Sequence, residues 1–126
     1  MVNWALEKSL GGELLVPKIP SYRVTDIAEA IGPSCEKPIV GIRPGEKIHE
    51  EMITASDSFS TVDLGPYYAI LPNDGITIAA YRTAGIQAPG VPQGFAYNSG
   101  TNPDFLSVEQ LRSLIREHVD PTFQPH

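Results

Sequence analysis

Proline and glycine are frequent in this chain and unevenly distributed, and they limit where helices and strands can form. The 126 residues include 12 prolines and 11 glycines. Between residues 85 and 100 the chain carries four residues that break helices and strands: Pro89, Gly90, Pro92 and Gly94. We therefore expect this segment to be irregular, and to be held by side chains or by partners rather than by a strand ladder of its own.

Apolar residues recur at helical spacing in four other parts of the sequence. Ser107 and Gln110 form a capping-box pattern ahead of the last of these. The spacing predicts helices over residues 2–10, from Thr25 as N-cap to Gly32, from Glu46 to Ile53, and from Ser107 to about His118.

Short apolar runs between these helices predict strands at residues 14–16, 39–42 and 61–71, the last interrupted by Gly65-Pro66. Residues 54–60 have the composition of a loop. Because two strands are each followed by a helix, we expect a small α/β fold with a parallel piece. We expect residues 1–84 to form a lobe of short strands and helices, and residues 85–126 an irregular tail with a C-terminal helix.

Composition excludes several classes of function. The formal net charge of −6 argues against a general role on the nucleic-acid backbone, which requires a basic face. No apolar run approaches the ~20 residues of a membrane-spanning helix, and the first residues lack the pattern of a secretion signal. Cys35 stands alone, which excludes an internal disulfide and a cysteine zinc cluster. We expect a cytoplasmic protein.

The segment from Gly41 to Glu50 carries the candidate binding residues. It follows an apolar run, and Pro44-Gly45 interrupts its regular secondary structure and turns the chain. At the end of the predicted strand, Arg43 can present its planar guanidinium to a diphosphate. Glu46, returned to the same side by the turn, can accept hydrogen bonds from two vicinal hydroxyls, as on a ribose. Open α/β folds bind ligands at such corners, outside the carboxyl ends of strands.

A purely structural interpretation of the same residues stays open. A glutamate at a helix N-terminus complements the helix dipole, and Arg43 and Glu46 can simply pair with each other. Lys47 and His49 are further candidates near a ligand, although a solvated helix face explains this polar cluster equally well. His49 also begins a pattern similar to H-E-x-x-H, but Ile53 occupies the place of the second histidine, so no metal site is predicted.

Several stretches of the chain together resemble one family, in the same order and at the same spacing. They are Gly12–Ser21, Thr25–Ile27, Ile42–Ile53, Gly94–Asn102 and the helix from Ser107 to Leu114. These stretches are similar to inverting UDP-N-acetylglucosamine 4,6-dehydratases, which are bacterial capsule and flagellin-glycan enzymes of the extended short-chain dehydrogenase type. The tail of the chain resembles the capsule subgroup.

The resemblance covers about the C-terminal third of such an enzyme. It implies the α/β substrate-binding lobe of an extended short-chain dehydrogenase without its Rossmann domain, which in the family binds NADP and carries the catalytic residues. This sequence has no glycine-rich nucleotide loop, and no tyrosine is followed four residues later by lysine. The resemblance assigns Arg43 to the UDP pyrophosphate and Glu46 to the ribose, and it assigns no catalytic residue and no cofactor to this chain.

Two functions follow as hypotheses. In the first, the chain is the UDP-sugar-binding part of a nucleotide-sugar dehydratase, a truncated piece or a separate reading frame that is not catalytic alone. Its first helix is then expected to be the end of a longer helix. In the second, the chain is a non-enzymatic interaction module, because the loop from Gly85 to Asn102 is rich in groups that need partners. That hypothesis expects self-association or docking on a Rossmann-domain partner.

Overall fold

The computed structural model describes residues 2–72 and 78–126. The chain divides into two compact units, which we call the sheet unit (residues up to Ile19 and Glu50–Asn98) and the helical unit (Pro20–His49 and Ser99–His126). In chain order the elements are α1 (Val2–Lys8), β1 (Leu14–Pro17), α2 (Val24–Ile31), β2 (Glu51–Ile53), a 3-10 helix (Ala55–Ser60), β3 (Thr61–Asp63), β4 (Tyr67–Ile70), α3 (Ile78–Thr83), β5 (Tyr97–Asn98) and α4 (Val108–His118).

The sheet unit is built around a three-stranded antiparallel sheet in which β4 lies between β1 and β3. Ala69 on β4 pairs with Leu15 on one side and with Val62 on the other. The strand predicted over residues 61–71 is therefore a hairpin, divided where the sequence places Gly65-Pro66. Five buried side chains form the core of this sheet: Val62, Leu64, Ala69, Tyr81 and Ala88.

A second, two-stranded antiparallel ladder joins β2 to β5 in the same unit. Ile53 is fully buried and pairs with Tyr97, and both pack against Val16. The Tyr97 hydroxyl donates to the Ile19 carbonyl at 2.8 Å and accepts from the Ile19 N–H at 2.9 Å. The segment predicted to lack a ladder of its own thus contains one short strand, and this part of the expectation is wrong.

The helical unit rests on the packing of α2 against α4. Leu111 of α4 is buried, as the apolar periodicity of that helix predicts. The buried residue of α2 is Ala30, which lies outside the predicted apolar positions 24, 27, 28 and 31. The capping box at the start of α4 is confirmed: the Ser107 N–H donates to Gln110 Oε1 at 2.8 Å, and the Gln110 N–H donates to Ser107 Oγ at 3.3 Å. The N-cap of α2 is Arg23 rather than the predicted Thr25.

The predictions for residues 39–60 are wrong in three places. Residues 39–42 form no strand, and Ile39 and Val40 are almost fully exposed. The helix predicted from Glu46 to Ile53 is absent, because β2 instead places Ile53 in the core through pairing with β5. The predicted loop at residues 54–60 is largely a 3-10 helix. The Thr54 hydroxyl and the Thr54 N–H both donate to Asp57 Oδ2, and these hydrogen bonds lower the pKa of that carboxyl.

The α/β fold class predicted from the sequence is confirmed, with helices packed alongside short sheets. The prediction of parallel strands is wrong, because every paired strand of both described sheets runs antiparallel to its neighbour. Connections as short as the turn between β3 and β4 join antiparallel strands, whereas parallel strands require long crossovers. The division of the chain after residue 84 stays a prediction.

Candidate functional site

The segment Arg43–Glu46 forms a tight turn in the helical unit. The Glu46 N–H donates to the Arg43 carbonyl at 3.1 Å, which closes a four-residue turn. Gly45 has a φ of +82° and follows Pro44, the pattern typical of a type II turn. The prediction that Pro44-Gly45 turns the chain here is confirmed. The helix that was predicted to follow the turn is absent.

The Glu46 carboxylate is engaged within this turn. Its Oε2 accepts the Arg43 backbone N–H at 2.9 Å. The carboxylate therefore stabilises the turn and does not cap a helix, so the dipole interpretation of Glu46 is wrong. A carboxylate can accept about four hydrogen bonds, which leaves Oε1 able to receive a ligand hydroxyl.

The surroundings of the Arg43 guanidinium differ from those of the Glu46 carboxylate. The Arg43 side chain is exposed, and among residues 2–72 and 78–126 it makes no ion pair with a carboxylate. The structural alternative of an Arg43–Glu46 ion pair is therefore absent from the described residues. Five donors in a planar fork, without a carboxylate partner, are suited to an anion such as a phosphate.

Lys47 and His49, the two further candidates, follow the turn and are exposed. The His49 ring lies against Gly100, where a Cβ would approach Cγ of the imidazole to 2.9 Å. Sequence reasoning missed Gly100 as a neighbour of this site. A glycine within a loop carries no signal of a contact with a residue so distant in the chain.

The turn that carries Gly100 is followed by a polar anchor that the sequence also did not reveal. The side-chain amide of the buried Asn102 donates to Ser21 Oγ at 3.0 Å, and its Oδ1 accepts the Asp104 N–H at 3.1 Å. The Ser21 backbone bonds to Asp104 and Leu106 at 2.8 Å each. The loop after Gly100 is thus held against the Pro20–Tyr22 connector within the helical unit.

In the described part of the sheet unit, the buried Tyr81 pairs with the half-buried Glu13. The Tyr81 hydroxyl donates to Glu13 Oε1 at 2.8 Å, and the Leu10 N–H donates to the same oxygen at 2.7 Å. Burial, followed by the neighbouring carboxylate, raises the pKa of Tyr81. Partial burial of Glu13 raises its pKa, but the hydrogen bonds it accepts outweigh burial and lower the pKa overall. The pair holds α3 to the chain before β1, and its role is structural.

Other parts of the described chain offer little for chemistry. Within residues 2–72 and 78–126 there is no cluster of histidine, cysteine or carboxylate side chains suited to a metal ion. The helices in those ranges are too short or too polar to span a bilayer. A cleft of about 190 Å³ in the sheet unit has three hydroxyls in its wall, and all three already donate to backbone carbonyls: Ser58, Ser60 and Thr61.

Comparison with known proteins identifies relatives of this chain. The inverting UDP-N-acetylglucosamine 4,6-dehydratase of Campylobacter jejuni subsp. jejuni serotype O:2 is 40% identical over 113 residues, which cover 86% of this chain and 34% of the relative. The UDP-glucose 4-epimerase of Rickettsia felis is 30% identical over 121 residues, which cover 91% of this chain and 34% of the relative.

A solved structure is similar as well. The X-ray structure of Pen from Bacillus thuringiensis aligns with a TM-score of 0.67 and 26% identity, and the alignment covers 90% of this chain and 33% of that one. The chain thus spans about a third of the length of the relatives it matches.

The resemblance to inverting UDP-N-acetylglucosamine 4,6-dehydratases that the sequence motifs indicate is confirmed by these matches. A family model described as "Polysaccharide biosynthesis protein" matches residues 1–72, which are more than half of the chain and include the Arg43–Glu46 turn. The chain belongs to this polysaccharide biosynthesis protein family.

Proposed function

We propose that this chain binds the UDP moiety of a nucleotide sugar through the Arg43–Glu46 turn, as part of a polysaccharide-biosynthesis dehydratase, and that it is not catalytic alone. The observation that carries the proposal is the exposed Arg43 guanidinium, which has no carboxylate partner in the described chain. The Glu46 carboxylate beside it already bonds the Arg43 backbone. The arginine side chain is therefore available to a ligand and is not needed to hold the turn.

The two relatives narrow the class of ligand. Their names denote different chemistry, dehydration in one and epimerisation in the other, and both name a UDP-linked hexose derivative. The part of the ligand that both names share is the UDP nucleotide, so a site common to both relatives is expected to bind that nucleotide. We propose that Arg43 contacts the pyrophosphate and that Glu46 Oε1 accepts from the ribose. Exposed Lys47 adds positive charge near the same phosphates.

Titration of the isotope-labelled protein with UDP and with uridine separates these two roles. Arg43→Ala should weaken UDP binding about ten-fold or more, because hydrogen bonds to charged groups contribute about 1.5–3 kcal/mol. The same change should leave uridine binding unaltered, since uridine lacks phosphate. Glu46→Gln should instead weaken both ligands. Backbone amide shifts of Gly45 report the binding.

Arg23→Ala is the matched control for Arg43→Ala. It removes the same charge from the helical unit, at a side chain that is 74% exposed and that pairs with Asp26 at 3.9 Å. This control should bind UDP like the wild type. Equal losses in the two variants would mean that only net charge matters, and the assignment of Arg43 to the pyrophosphate would be wrong.

The absence of catalysis is tested separately. We assign NADP to no residue of this chain, because its sequence has no glycine-rich phosphate loop, and hydride transfer requires such a cofactor. Incubation with UDP-N-acetylglucosamine and NADP should yield no 4-keto sugar. Turnover by the purified chain would contradict the proposal.

A second candidate function, an interaction module, is favoured by one observation. Three apolar side chains around the turn are strongly exposed: Ile39 at 99%, Val40 at 90% and Ile48 at 81%. Neighbouring apolar side chains exposed in this way are typical of protein interaction surfaces. Sedimentation equilibrium should then show association that Ile39→Thr with Val40→Thr weakens. A monomer at every concentration would contradict self-association.

A further inference from the structure

The imidazole of His49 lies against the backbone of Gly100, closer than any side chain at that position would allow. A Cβ on Gly100 would lie 2.9 Å from Cγ of His49 and 3.0 Å from both Cδ2 and Nδ1. Such distances are well inside van der Waals contact between carbon atoms. Any residue other than glycine at position 100 would therefore displace the ring.

Backbone conformation does not explain the glycine at this position. Several glycines of the chain have a positive φ, among them Gly41, Gly45 and Gly94, but Gly100 does not. An L-residue could adopt the Gly100 backbone without strain. The feature that requires glycine here is the space that the His49 ring occupies.

The wall against which the ring lies is itself held in place. Gly100 belongs to a turn, and the turn leads into Asn102, whose side chain bonds Ser21 Oγ and the Asp104 N–H. The isolated bridge between Ser21 and Phe105 adds a backbone connection. A ring packed against a fixed wall loses less rotational freedom when it binds a ligand than a ring that moves freely in solvent.

We infer that Gly100 is a positioning residue, which makes room for the His49 ring and holds it where the imidazole can donate a hydrogen bond to a nucleotide phosphate at the Arg43–Glu46 turn. The inference rests on the proposed function, because it adds a donor to that same site. An imidazole N–H is a suitable donor to a phosphate oxygen in either protonation state. The turn at Gly100 would thus position a donor that belongs to the same chain segment as Arg43 and Glu46.

The test compares Gly100→Ala with Gly90→Ala during titration with UDP. Gly90 is a matched control, because its φ is not positive and a Cβ there would meet only Ile78 Cδ1, at 4.0 Å. Two signals are followed: the Gly45 amide, which reports the turn, and the His49 ring protons. In the wild type and in Gly90→Ala both signals should respond to UDP.

In Gly100→Ala the Gly45 amide should still respond to UDP, and the response of the His49 ring should be lost. The affinity for UDP should fall about three- to ten-fold, as expected for the loss of one hydrogen bond. An unchanged ring response and affinity in this variant would overturn the inference. In the wild type, a responding Gly45 with a silent His49 ring would overturn the inference alone. If both signals are silent in the wild type, the proposed function fails and the inference fails with it.

A second variant keeps the inference testable if Gly100→Ala does not fold. His49→Ala removes the donor without changing the turn after β5, and it should also lower UDP affinity about three- to ten-fold. The wild type should show a nuclear Overhauser contact between the His49 ring and the Gly100 Hα. Unchanged affinity in His49→Ala, or the absence of that contact, would contradict the inference.

Discussion

Arg112 and Arg43 lie in the same helical unit, but their guanidinium groups have opposite surroundings. Arg112 has an 18% exposed side chain and directs its donors to three acceptors. Its Nε donates to the Ala30 carbonyl and one terminal nitrogen to the Glu29 carbonyl, both at 3.1 Å, while the other donates to Glu109 at 2.7 Å. Arg43 is exposed and has no carboxylate partner among the described residues.

This difference separates an arginine that maintains the fold from one that is available for binding. Arg112 satisfies carbonyls in the last turn of α2, which a helix end leaves without internal partners, and so joins α2 to α4. Arg43 follows an exposed apolar stretch and is the first residue of a turn, which closes through the Arg43 backbone and the Glu46 carboxylate. Stability should therefore depend on Arg112, and ligand binding on Arg43.

The largest effect on stability is expected from Arg112→Met. Methionine retains much of the apolar stem but removes all the donors, and we expect a loss of about 2 kcal/mol in the free energy of unfolding. Urea denaturation measures this loss. Arg116→Met on the same helix is the control, because Arg116 Nε makes a single long hydrogen bond of 3.4 Å to Phe123. Equal losses in the two variants would show that Arg112 contributes no more to stability than Arg116 does.

A smaller effect is expected in the sheet unit from Tyr81→Phe. The change keeps the buried ring and removes the hydrogen bond to Glu13 Oε1, and the expected loss is about 1 kcal/mol. Urea denaturation at neutral pH measures it. A variant as stable as the wild type would show that this pair contributes nothing to the unit.

The same pair predicts how stability depends on pH. The folded state lowers the pKa of Glu13 below its ordinary value of 4.5, so its contribution is complete above that value and is lost as the pH falls through the lowered pKa. Tyr81→Phe removes one hydrogen bond that lowers this pKa, so its loss of stability on acidification should be shallower. Parallel acid dependence in the two proteins would contradict this assignment.

The smallest effect on stability is expected from Arg43→Ala. Since the side chain is exposed and has no carboxylate partner in the described chain, the free energy of unfolding should change by less than about 0.5 kcal/mol. A loss comparable with that of Arg112→Met would show that Arg43 supports the fold, and the contrast between the two arginines would disappear.

Local signals in the sequence predicted the helical unit better than the region around the turn. The signals for α2, for α4 and for the capping box at Ser107 come from nearby residues, and the two helices and the capping box are confirmed. β2 depends instead on pairing with β5, far along the chain, and this contact overrides the helical pattern of residues 46–53. The apolar composition of residues 39–42 could not show that these side chains are exposed.

The turn at the candidate site was predictable from the sequence, but its contacts were not. Pro44 and Gly45 predicted a turn between Arg43 and Glu46, and the turn is present, whereas anion binding by Arg43 stays a prediction. The bond from the Arg43 N–H to the Glu46 carboxylate and the packing of His49 on Gly100 depend on folded geometry. No periodicity or short motif encodes such contacts.

The most direct test of the central claim is the dissociation constant of UDP for Arg43→Ala and for the wild type, measured with the unfolding free energy of the same samples. The account predicts that UDP affinity falls about ten-fold or more while the free energy of unfolding stays within about 0.5 kcal/mol of the wild type. Unchanged UDP affinity, or a loss of affinity that accompanies an equal loss of stability in the absence of ligand, would contradict it.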